Sequence, residues 1–78
     1  MERARALADK LTREHPADNG ALVRSTWRSI LAHEPEARDL NRALQFLATQ
    51  SQNAGTRLEA AVELVRALLN VNEFLYVD

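Results

Sequence analysis

Apolar residues recur along this chain at the three- and four-residue spacing of amphipathic helices, in blocks separated by turn-forming stretches. From about Glu2 to Glu14, Ala4, Leu7, Ala8 and Leu11 fall on one helical face, which predicts a first helix with a narrow stripe. His15, Pro16, Ala17, Asp18, Asn19 and Gly20 form a break, because the residue before a proline is pushed out of the α region and Asp, Asn and Gly favour turns. A second helix is predicted from about Ala21 to His33, with Asp18 or Asn19 as N-cap and Val23, Trp27, Ile30 and Leu31 as its stripe. The indole N–H of Trp27 needs a partner, which favours the edge of the core over full burial.

Pro35 reads as the first position of a third helix, where its missing N–H is harmless, with Glu36 and Asp39 in the early turns. Its stripe is Ala37, Leu40, Leu44 and Leu47, widened by Ala43 and Ala48. Gln50 to Gly55 carry no periodicity and read as a loop. Thr56-Arg57-Leu58-Glu59 is a capping box, in which the Thr hydroxyl accepts from the Glu59 N–H and the Glu59 carboxylate reaches back. Behind it, Leu58, Ala61, Val62, Val65, Leu68 and Leu69 make the widest stripe, so the fourth helix is the expected centre of the core. Asn70 to Asp78 form an apolar tail that is expected to pack down on the bundle or on a surface outside this chain.

Composition agrees with helices. Ala and Leu dominate the apolar residues while Val and Ile are few, which favours the best helix formers over strand formers. At 78 residues the chain is below the ~100–200 residues of a usual domain. Without cysteine it has no disulfide, thiolate metal site or cysteine nucleophile. A formal net charge of -1 provides no global attraction to nucleic acid or anionic membrane. No apolar run approaches the ~18 residues of a membrane span, and the N-terminal residues lack the apolar segment of a secretory signal.

Candidate chemistry is sparse. His15 and His33 are the only imidazoles, and neither H-x-x-x-H nor H-E-x-x-H is present, so metal ligation is not expected. His33 lies near a helix C-terminus, where the dipole gives an imidazole a structural role. Arg24 with Arg28, and Arg38 with Arg42, are pairs one turn apart and are the candidates for an anion site. Glu34, Glu36 and Asp39 interleave with them, so local ion pairs such as Glu34 with Arg38 or Asp39 with Arg42 account for the same residues. Glu59 belongs to the capping box, and Glu63 can pair with Arg66.

The closing run Leu68-Leu69-Asn70 and Asn72-Glu73-Phe74-Leu75-Tyr76-Val77-Asp78 resembles the C-terminal signature of the Planctomycete Surface Domain family. Trp27 to Leu31, Glu34-Pro35 and Leu40 to Leu47 are similar to that family's helix, proline turn, helix arrangement, and Ala4 to Leu11 to the helix before it. Relatives carry Gly-Arg before the proline where this chain has His33-Glu34. The resemblance implies a C-terminal fragment of a larger bacterial domain of unknown function, sometimes linked to cytochrome c-like domains. It also implies an exported or cell-envelope-associated parent, and no cytochrome residue of the family maps onto this sequence.

Together these readings predict an all-α protein, a small three- to four-helix bundle with a C-terminal apolar tail packed on it. Residues 1–78 form a single helical module. The expected function is a non-catalytic helical packing or interaction module at the C-terminus of a bacterial envelope-associated protein. Two other classes are a small helix-turn-helix DNA-binding unit on helices two and three, and the scaffold portion of a larger redox or hydrolytic enzyme. No catalytic residue, cofactor or metal is assigned. Trp27, Phe74, Leu75 and Tyr76 are the candidate interaction surface. The expected partner is the missing upstream part of the parent or another protein surface, with a weak homo-oligomer as a further state. Membrane insertion is not expected, and nucleic acid is disfavoured. The expected core is Leu22 or Val23, Trp27, Ile30, Leu40, Leu44, Leu47, Leu58, Val62, Val65, Leu69, Phe74 and Tyr76.

Overall fold

The computed structural model describes residues 3–75, without the side chains of residues 53, 54 and 72–75. Four helices follow one another: α1 (Arg3–Glu14), α2 (Asn19–Leu31), α3 (Ala37–Ala54) and α4 (Arg57–Leu75). There is no strand among the described residues. The radius of gyration, 11.7 Å, is that of a folded domain of this length, for which about 11–12 Å is expected. The chain is thus an all-α bundle.

Helix boundaries follow from local chemistry. Asp18 is the N-cap of α2, its Oδ1 accepting from the Ala21 N–H at 3.0 Å. The helix ends at Ala32, which takes the left-handed conformation (φ 62°) and donates its N–H to the Arg28 carbonyl. Pro35 is not the first residue of α3. Glu36 is the extended N-cap and accepts the first helical bond from the Leu40 N–H at 2.8 Å, leaving Pro35 one residue outside. The expected loop at Gln50 to Gly55 is also corrected, because α3 continues through Ala54. Gln is a good helix former and Ser and Asn lower propensity without breaking a helix, and the actual stop is Gly55 at φ 85°, whose N–H bonds to the Ser51 carbonyl.

Only Gly55 and Thr56 separate α3 from α4, which pairs them as an αα-hairpin. α4 packs against all three other helices. It accordingly buries Ala60, Ala61, Val62, Leu64, Val65 and Leu68, more than one narrow stripe accounts for. α1 contributes Ala4, Ala8 and Leu11, and its small side chains suit a close approach to α4. α2 adds Leu22, Val23 and Trp27, and α3 adds Ala43 and Leu47. Thr26 is buried with them at no hydrogen-bonding loss, since its hydroxyl donates to the Leu22 carbonyl at 2.7 Å.

Of the expected core, Ile30, Leu40, Leu44, Leu58 and Leu69 are half-buried residues packed against the buried cluster. The expected tail is corrected in its first part, as Asn70 to Leu75 are helical and belong to α4. The side chains of Phe74 and Leu75, and all of Tyr76, lie outside the described residues. No helix among the described residues is long and apolar enough to cross a membrane.

Candidate functional site

Two depressions formed by described residues differ in chemistry. The first is an apolar groove of about 240 Å³ where α2, α3 and α4 meet. Trp27 supplies one wall, Ala43 and Phe46 another, and Leu64, Ala67 and Leu68 the third. Trp27 is 9% exposed, a core-edge position in which the ring packs inward and one edge remains accessible. Its indole N–H has no hydrogen bond among the described residues. Asp39 and Arg42, one turn apart on α3, stand at the rim. On α4 the apolar register Leu64, Ala67, Leu68 continues to Val71, which at 46% is the exposed large hydrophobic residue of the described chain. The same spacing runs on in sequence to Phe74 and Leu75.

The second depression is a polar cleft of about 230 Å³ between α1 and α2, lined by Lys10, Leu11, Glu14, Ser25, Arg28 and Ser29. The Ser25 hydroxyl lies 2.8 Å from His15 Nε2 and accepts from Arg28 Nη2 at 3.3 Å. Arg28 Nη1 donates to Glu34 at 3.0 Å. A serine beside an imidazole is the start of a nucleophilic dyad, but catalysis also needs a third group behind the imidazole and donors for an oxyanion. Among the described residues the His15 imidazole has no second hydrogen-bond partner. The contact therefore ties the turn after α1 to the middle of α2.

The anion-site candidates are not gathered into one site. Arg28 lines the polar cleft and holds Glu34, while Arg42 stands at the apolar groove. Arg24 is exposed and lies back over the first turn of α2, its guanidinium 3.2 Å from where a Cβ on Gly20 would sit. Arg38 is exposed on α3. The local ion pairs are corrected as well: Glu34 pairs with Arg28 and not Arg38, and Asp39 and Arg42 form no ion pair with each other. The Glu63–Arg66 pair forms at 2.8 Å. His33 Nδ1 approaches the Glu34 carbonyl at 2.9 Å at the corner before α3. No three His, Cys, Asp or Glu side chains gather among the described residues in a way that would hold a metal ion.

Phe46 and Leu64 were outside the sequence-derived stripes, although each is three residues from an apolar position (Ala43 and Ala61) and so begins a second apolar row. That second row on α3 and on α4 is the signal of the groove. No family model, curated protein or solved structure matches the chain.

Proposed function

We propose that the chain is a non-catalytic helical module that packs against a protein partner through the apolar groove. The observation that carries this reading is the convergence of Trp27, Phe46, Leu64 and Leu68 on one open groove, where the Trp27 indole N–H has no hydrogen-bond partner among the described residues. Tryptophan in a partly desolvated pocket is the commonest energetic anchor of protein interfaces, and its N–H supplies the directional contact. An open apolar groove of about 240 Å³ between three helices suits an amphipathic helix presenting apolar side chains. By its sequence resemblance, the module is proposed to sit at the C-terminus of a bacterial envelope-associated protein, whose upstream part is one source of such a helix.

Trp27 is the single tryptophan, so its indole resonance reports the groove directly. Titration with a Leu-bearing amphipathic helical peptide is expected to shift the indole N–H and the Ala67 and Leu68 amides. Ala67→Arg, at an exposed position on the groove wall, is expected to abolish those shifts while leaving the helical signal intact. An indole that stays unmoved at ~1 mM peptide, where even weak binding of about -4 kcal/mol registers, removes the groove as a docking site.

A further inference from the structure

We infer that a second copy of this chain occupies the groove, in a two-fold symmetric pair; this rests on reading the groove as a docking surface. Two features of the same face point to it. The rim carries one carboxylate, Asp39, and one guanidinium, Arg42, and neither has an ionic partner among the described residues. Arg5, Arg13, Arg28 and Arg66 each hold a carboxylate within the chain, whereas Arg42, like Arg24 and Arg38, holds none among the described residues. An isologous interface brings residue i against j and j against i, so a face with one unpaired charge of each sign complements itself. Asp39 of each copy then meets Arg42 of the other, and two intermolecular pairs form at once.

The apolar part of the face is self-complementary in shape. Leu64, Ala67 and Leu68 wall a hollow, and Val71 stands out one turn further along the same row of α4. Two α4 helices set antiparallel across a two-fold axis place the Val71 ridge of each copy over the hollow of the other, the ridge-into-groove packing of helix pairs. The small exposed Ala67 permits the close approach. A net charge of -1 adds almost no long-range repulsion between copies. The pair is expected to be weak and transient, forming at high micromolar concentration.

The test is sedimentation equilibrium of the 78-residue chain up to ~1 mM, with Asp39→Arg and Arg42→Asp measured alone and mixed. The wild type is expected to rise toward twice the 8.8 kDa of one chain. Each single variant, with two like charges facing across the axis, is expected to associate at least ten-fold more weakly. The equimolar mixture, with two arginines on one copy and two aspartates on the other, is expected to recover association as a heterodimer. Asp39 is half-buried and Arg42 exposed, so circular dichroism of each variant shows whether the fold is kept. A wild type that stays monomeric at ~1 mM overturns the inference. So does self-association that neither charge reversal weakens, or a mixture that fails to recover it. Repeating the peptide titration on Asp39→Arg separates the two readings: an indole that still shifts keeps the groove as a docking site for another protein when the pairing of copies has failed.

Discussion

Arg5 on α1 and Glu59 on α4 form an inter-helix clasp, in which one guanidinium nitrogen, Nη2, lies 2.7 and 2.8 Å from the two carboxylate oxygens. The capping box is consequently divided. Thr56 Oγ1 accepts from the Glu59 N–H at 3.0 Å, as the sequence predicts, while the Glu59 carboxylate turns to α1 instead of reaching back. Thr56→Ala is expected to cost about 1 kcal/mol through loss of the cap. Arg5→Gln should cost less, because the two side chains are 45% and 40% exposed and the pair is screened by solvent. Urea unfolding with and without added salt distinguishes them: the Arg5 effect shrinks at ~1 M salt, where the screening length is about 3 Å, and the Thr56 effect persists.

Burial ranks the leucines differently from periodicity. Leu47 and Leu69 both lie on predicted stripes, yet Leu47 is 0% exposed and Leu69 is only packed along the edge of the cluster. Leu47→Ala is expected to cost ~2–5 kcal/mol and Leu69→Ala to fall below that range. Equal losses in denaturant melts would place Leu69 in the interior and contradict the packing described for α4.

Much of this fold was legible in sequence, and the exceptions have physical causes. The four helices, a cap of α2 at Asp18 or Asn19 and the central role of α4 follow from spacing and capping chemistry, and the structure selects Asp18. The end of α3 did not, because polarity at Gln50 to Asn53 indicates a solvated surface as readily as a loop, and only Gly55 carries the backbone signal. The groove was half visible. Trp27 stood out as a core-edge aromatic, whereas its neighbours Phe46 and Leu64 come from second rows that gain meaning only when α3 and α4 are set side by side. The Ser25–His15 contact spans the α1–α2 break and has no signature in spacing.

The corner after α2 stores backbone strain at Ala32. The resemblance sets His33-Glu34 against that family's Gly-Arg, whereas Ala32 is the non-glycine residue at positive φ, 62°. A left-handed conformation costs an ordinary residue roughly 1–2 kcal/mol, and glycine avoids it. Ala32→Gly is therefore expected to stabilise the protein by about 1 kcal/mol, a rise of roughly 4–8 °C in Tm for a domain of this size. Gly55→Ala is the converse case. Nothing lies within 4 Å of the added Cβ, so its expected destabilisation comes from backbone conformation alone. A thermal melt in which both substitutions lower Tm would show that Ala32 is not under backbone strain.

Arg57 presents the opposite sign from a usual buried ion pair. It is the first residue of α4, at the positive end of the helix dipole, and is partly buried. Its Nε donates to Asn19 Oδ1 at 2.7 Å, while Nη2 is buried without a partner among the described residues. A cation so placed carries a desolvation cost that one neutral acceptor does not fully offset. Arg57→Met keeps the aliphatic stem and removes the charge, and is expected to be neutral or stabilising by about 1 kcal/mol. Asn19→Ala in the wild type removes the acceptor and should cost ~1–3 kcal/mol, but in the Arg57→Met background it should cost much less. Urea unfolding of the four proteins closes the cycle and cancels the small change in helix propensity at residue 19. A loss above ~2 kcal/mol for Arg57→Met, larger than a typical single hydrogen bond contributes, would mean that the guanidinium is a net source of stability at the junction of α2 and α4.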